Sequence, residues 1–196
     1  NWCVETRRLT SNPFLRVGKA NEKSDRRRQR RSMTEVELRK LLDAARRRPL
    51  LEAMTVRTGE RKGQAVAQVK TETRKRLELL GLERSLIYKT MVLTGLRRGE
   101  LASITVAQCH LDGPTPFIEL DAADEKSREG SHIPLRDDLA ADLREWVSRR
   151  QQADTGPSVL SIEAVREQRE VESGQRLFDV PKGLIRILDR DLAAAG

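Results

Sequence analysis

Hydrophobic positions in this chain recur mostly with the helical period, and in one stretch with the strand period. Leu38, Leu41, Leu42 and Ala45 fall at i, i+3, i+4 and i+7, one stripe of an amphipathic helix. Ahead of them, Thr34-Glu35-Val36-Glu37 is a capping box: the Thr34 hydroxyl takes the Glu37 N–H and the Glu37 carboxylate reaches back. Met33 and Leu38 are placed for a hydrophobic staple across that box. Pro49 lies just past the predicted end of this helix. Residues 55–63, TVRTGERKG, read as a polar loop. A second helix is predicted over 64–80, with Val66, Val69, Thr73, Leu77 and Leu80 on one face and Gly81 as its C-cap. A third, over about 83–94, carries Leu86, Ile87, Met91, Val92 and Leu93. It is apolar on most sides and is expected at the centre of the core. Gly95 ends it.

A short helix over about 98–104 follows, with Leu101 and Ile104 facing inward. The period then changes. Residues 117–121, FIELD, and 131–135, SHIPL, alternate as strands do, and 105–111 is a candidate third strand. The helical period returns at Leu139, Leu143, Trp146 and Val147. Residues 151–160 read as loop, 161–172 as a weaker polar helix, and 183–195 as a last helix carrying Leu184, Ile187, Leu188 and Leu192. The predicted fold class is therefore α+β: a mostly helical domain with a small antiparallel sheet of three strands. Residues 1–17 read as the end of a separate element, with Asn12-Pro13 as a turn or helix start. Residues 18–32 read as a linker without apolar periodicity.

Composition narrows the classes. The chain has 196 residues, 37% hydrophobic and 35% charged, enough for one core. Aromatics are only 3%, so aliphatic packing must dominate it. No apolar run approaches the ~18–20 residues a membrane span needs, and Asn1-Trp2-Cys3 does not begin a signal peptide. The missing initiator Met suggests a chain that is processed, cut or incomplete. The net charge is +8, unevenly spread. Residues 1–80 hold 22 basic and 10 acidic side chains, whereas 81–196 hold 16 and 20. A basic half beside a mildly acidic one points to a polyanion partner for the first. Arg outnumbers Lys 29 to 9, which suits bidentate contact with phosphate and equally suits a GC-rich genome. The linker carries Arg26, Arg27, Arg28, Arg30 and Arg31, readable as a solvated tether or as an arm along a phosphate backbone. Cys3 and Cys109, far apart and without a CxxC, suggest a reducing compartment with packed or idle thiols. No His and Cys spacing resembles a zinc site, and Cys109 and His110 point to opposite faces of the predicted strand. TGERK looks like a linker between zinc fingers, but the flanking ligands are missing. Gly59 and Gly63 make no phosphate loop, since no GK[ST] follows.

Two segments carry candidate chemistry. In Thr94-Gly95-Leu96-Arg97-Arg98-Gly99-Glu100-Leu101, a glycine ends a buried helix and Arg97 is presented at the break into the next, near backbone N–H groups that suit a phosphate. Glu100 lies one turn on, where it can orient Arg97. In Lys126-Ser127-Arg128-Glu129-Gly130-Ser131-His132-Ile133-Pro134-Leu135, a lysine rides a hairpin turn. Taken singly, these are a capped helix with solvated arginines and a soluble hairpin tip. In this order they resemble the tyrosine recombinase (phage integrase) family, whose first arginine box reads roughly TGLRxxEL and whose hairpin lysine precedes a strand ending Pro-Leu. The resemblance covers about 33–196 as the N-terminal part of a catalytic domain. Residues 1–17 look like the tail of a helical core-binding domain, joined by the basic linker 18–32.

The resemblance implies roles for matching positions. Arg97 would brace the non-bridging oxygens of a scissile phosphate, as electrostatic stabilisation of the transition state. Glu100 would support it, and Lys126 would act as general acid toward the leaving 5′-oxygen. It implies DNA breakage and rejoining through a 3′-phosphotyrosine, with no metal or nucleotide cofactor. Double-stranded DNA would be the partner, with tetramers only on DNA, in the cytoplasm at the nucleoid. Arg98 and Arg128 join the linker arginines as DNA-binding candidates. The pattern departs from the family in one large respect: His-x-x-Arg and the nucleophilic tyrosine do not follow. Tyr88, the single tyrosine, sits in the predicted buried helix, where a core role is expected. As it stands the chain is expected to be inactive, a truncated recombinase. The alternatives are a stand-alone DNA-binding remnant without catalysis, or a structural helical domain whose basic surface is compositional. A type IB topoisomerase relative is disfavoured by the compact spacing.

Overall fold

A computed structural model describes residues 2–15, 17–18, 31–125, 128–154 and 174–196. The chain forms two compact units, Asn1–Met33 and Thr34–Gly196. In the first, helix α1 spans Trp2–Glu5. The Arg8 guanidinium lies 4.4 Å over the Trp2 ring. Asn12-Pro13 is a turn, closed by the Phe14 N–H on Asn12 Oδ1 at 3.0 Å.

The second unit is a mostly helical α+β fold. Helix α2 spans Glu35–Met54, α3 Thr71–Thr94 and α4 Arg98–Ser103. A 3-10 turn at Val106–Gln108 leads into β1 (Cys109–His110), followed by β2 (Phe117–Leu120) and β3 (Ser131–Pro134). Helix α5 spans Asp137–Asp154 and α6 Leu184–Ala195. The sheet runs β1-β2-β3, antiparallel throughout, with Ile118 opposite Cys109 on one side and Ile133 on the other. Ile118 and Leu120 turn inward, while Phe117 and Glu119 share the other face with His132.

The capping box forms as the sequence predicts: the Glu37 N–H donates to Thr34 Oγ1 at 3.3 Å and the Thr34 N–H to Glu37 Oε2 at 2.8 Å. Four boundaries differ from the sequence reading. Pro49 does not follow α2 but lies inside it, buried. An internal proline forfeits a backbone bond and costs about 3 kcal/mol. The helix continues because its buried face, with Leu41, Ala44 and Ala45, packs on both α3 and α6. Residues 64–70 are not helical. Instead Thr55 bridges Ala65, and α3 begins at Thr71.

Gly81 is no cap either. It sits buried within the continuous α3, where a Cβ would lie 2.0 Å from the Arg46 carbonyl oxygen of α2. Its missing side chain is what lets two helix backbones meet there. The predicted loop over 151–160 begins later than expected, since α5 runs to Asp154. The predicted helix at 161–172 lies outside the described residues.

The core gathers Ile87 from α3, Leu101 from α4, Ile118 from the sheet, and Leu139, Leu143 and Trp146 from α5, each at most 2% exposed. Leu177 and Phe178, in an irregular segment, are fully buried with them. That segment is tied down by backbone bonds from Val106 N to Gln175 O (2.8 Å) and Leu177 N to Ile104 O (2.8 Å). The Trp146 indole N–H donates to Leu177 O at 2.8 Å. Among the described residues, no helix is long and apolar enough to cross a membrane.

Candidate functional site

The arginine corner is built by local sequence. The Thr94 hydroxyl donates back to Thr90 O at 2.6 Å, and Gly95 closes α3 in the left-handed region (φ 73°), its N–H on Met91 O at 3.0 Å. Leu96, on one side of Arg97, and Leu101, on the other, are buried at 4% and 0% exposure. With both flanks anchored, the backbone of Arg97 is fixed between two helices. Its side chain nevertheless stands 63% exposed, while that of Glu100 is 8% exposed. The Glu100 carboxylate uses both oxygens on Arg97: Oε2 accepts the backbone N–H at 2.8 Å and Oε1 accepts Nη1 at 2.7 Å. A buried carboxylate thus aims an exposed guanidinium, which carries five donors in all. Arg98 is exposed at the first position of α4.

On the β2–β3 connection, Arg128 is exposed and in the left-handed region at φ 61°. Glu125 holds this connection, accepting the Gly130 N–H at 2.8 Å and the Ser131 hydroxyl at 2.6 Å. Lys126 lies outside the described residues, as do Arg26, Arg27, Arg28 and Arg30. Arg31 is exposed, in the unit that precedes Thr34.

Tyr88 takes the core role expected of it. It is 4% exposed, and its hydroxyl donates to Asp191 Oδ2 at 2.7 Å. Burial, with that bond to a carboxylate, raises its pKa well above the ordinary phenol value and keeps it protonated. A nucleophile needs the opposite. His132 is an exposed strand residue in edge contact with Phe117, which also stacks on His110 at 4.4 Å. Among the described residues no group of His, Cys, Asp and Glu is placed to hold a metal ion. Both cysteines are free; Cys3 is exposed rather than packed, whereas burial pushes the Cys109 thiol up to about 12. No known family, curated protein or solved structure matches this chain.

Sequence reasoning missed a buried ionic cluster. Asp191 of α6, fully enclosed, accepts Arg48 Nε at 2.5 Å and the Tyr88 hydroxyl, with Arg84 Nη1 at 3.6 Å. Arg48 also donates to Glu52 and, through Nη2, to Ile187 O at 3.3 Å. Desolvation works against the Arg48 charge, but the bonds to Asp191 and Glu52 more than offset it, so its pKa is raised. A signal was present: Asp191 falls at i+7 from Leu184, on the stripe of Leu184, Ile187 and Leu188, and Arg48 at i+7 from Leu41.

A groove of about 620 Å3 between α2, α3 and α5 has a leucine floor. Its charged rim is largely self-paired, as in Lys89 with Asp142 (2.6 Å) and Asp138 (3.0 Å). Neither Arg97, Arg98 nor Arg128 lines it.

Proposed function

We propose that this chain binds duplex DNA and supplies the phosphate-bracing side of a strand-transfer site of the tyrosine-recombinase kind. The observation that carries the reading is the pairing of an exposed Arg97 with a buried Glu100 inside TGLRRGEL. An arginine meant only for solubility needs no buried carboxylate to aim it. An arginine meant to meet a non-bridging phosphate oxygen gains from being held before the substrate arrives. The fine assignment to that family rests on the motif order, and the α+β fold with a three-stranded sheet is compatible with it.

In this reading a tyrosine hydroxyl gives up its proton to solvent and attacks the phosphorus; the bond from phosphorus to the 5′-oxygen breaks, and that oxygen takes a proton from Lys126. Arg97 carries the charge that builds on the phosphate oxygens, and Glu100 holds Arg97 in line. Tyr88 has no part in it, so the attacking tyrosine comes from other than this residue.

The test is a titration of a fluorescein-labelled duplex with the chain and with Arg97→Ala and Arg97→Lys, across salt. Each phosphate contact contributes about 0.9 to the slope of log K against log salt. Arg97→Ala should lower the slope by about that amount, and Arg97→Lys should keep the slope while weakening binding. An Arg97→Ala protein with unchanged affinity and slope would sink the reading.

A further inference from the structure

Between α2 and α3 the chain makes a small ordered finger that the strand-transfer reading leaves unused. Thr55 bridges Ala65, Val56 N donates to Gln64 O at 2.9 Å, and Gly63 N donates to Val56 O at 2.8 Å. The tip is closed by Lys62 N on Gly59 O (3.1 Å) and Gln64 N on Arg61 O (3.0 Å), and Ala67 N on Met54 O (2.9 Å) ties its base to α2. Gly59 at φ 82° and Gly63 at φ 86° supply the two left-handed residues the tight path requires. The finger is therefore shaped by its backbone, with the Thr55 hydroxyl adding a bond to Leu51 O at 2.6 Å, and the side chains of Arg57, Arg61 and Lys62 are not consumed in holding it.

Those side chains are basic. Residues 55–70 hold four Lys and Arg against one Glu, a net of +3. Arg57, Arg61 and Lys62 at the tip and Lys70 at the base are all exposed. Elsewhere on this surface arginines are commonly neutralised along their own helix, as in Arg39 with Glu35 (2.6 Å) and Arg149 with Glu145 (2.5 Å). A helix offers that pairing at i+4; a tight turn does not. Repulsion within so basic a turn is a cost that a partner with regular negative charge would remove.

We propose that the 55–70 finger is a second, sequence-independent contact for the phosphate backbone of duplex nucleic acid, acting through Arg57, Arg61 and Lys62. It rests on the reading that DNA is the partner, and it adds a surface apart from the arginine corner. Three phosphates neutralised by these side chains would contribute roughly 2.7 to the salt slope, at about 0.9 each.

The test compares the chain with Arg57→Ala/Arg61→Ala/Lys62→Ala and with an all-lysine finger, Arg57→Lys/Arg61→Lys. The readout is anisotropy on a 25-base-pair duplex of arbitrary sequence from 50 to 300 mM salt. The triple-alanine protein should melt at the parent temperature, since the finger is held by backbone bonds, and should lose about two to three units of slope. The all-lysine finger should retain it. If the parent binds with its Arg97-dependent share intact and the triple variant keeps the full slope, the finger proposal fails and the DNA reading stands. If the parent does not bind duplex at 50 mM salt, both fail. Equal finger-dependent retention on vesicles of phosphatidylserine and phosphatidylcholine, with no preference for duplex, would overturn the assignment to nucleic acid.

Discussion

The substitution Gly81→Ala puts the helix crossing to a quantitative test. By helix propensity alone it should help, because alanine inside a helix is favoured over glycine by about 1 kcal/mol. The structure reverses the sign. The new Cβ would stand 2.0 Å from Arg46 O and 2.9 Å from Arg46 C, whereas ordinary contacts begin at 3.4 Å. Both obstacles are backbone, so no rotamer change relieves them. Helices α2 and α3 must part by roughly 1 Å or more, loosening Leu41 and Ala45 against Leu86 and Ile87. Overpacking costs about 1–3 kcal/mol and a backbone clash stands at the upper end. Net of propensity, the loss should be about 2 kcal/mol. For a chain of this size that is a fall in Tm of roughly 4–8 °C. Circular dichroism melts at 222 nm read it directly. Gly99→Ala is the control: a Cβ there meets nothing within 4 Å and the glycine lies in helix α4, so stability should hold or rise by a few tenths of a kcal/mol. A Gly81→Ala protein melting at or above the parent would refute the close crossing.

Three further outcomes follow from the buried and half-buried polar groups. Asp191→Ala leaves Arg48 and Arg84 without their shared carboxylate and should cost about 3–5 kcal/mol, whereas Tyr88→Phe should cost about 0.5–1.5 kcal/mol. A urea midpoint for Asp191→Ala equal to the parent's would show that Asp191 does not pin α6 to α2 and α3. The hydrogen bond from Lys89 holds the Asp138 carboxyl below the usual carboxylate range. Its stabilising share is therefore present above the ordinary carboxylate pKa and lost as pH falls through the lower folded value. Carboxyl NMR titration should show the Asp138 midpoint rising in Lys89→Met; an unmoved midpoint would assign the shift to other neighbours.

What could be read from the sequence shares one property: short range. The Thr34 box, the left-handed Gly95, the alternation in 117–121 and the Arg97–Glu100 pair each involve residues within four positions of one another. Local sterics and hydrogen bonding therefore decide them before any tertiary contact forms. The α+β class follows from the same periodicities, because stripes of period 3.6 and 2 specify which faces must be buried. Tertiary structure decided the rest. Gly81 and Pro49 carry local signals for ending a helix, and both lie inside one, because the packing of α2 on α3 and α6 outweighs the backbone cost. Leu177 and Phe178 show no period, since an irregular segment is buried by shape and not by repeat. Asp191 sits 143 positions from Arg48 and 103 from Tyr88, and only the fold brings a lone carboxylate to the arginines that make its burial tolerable.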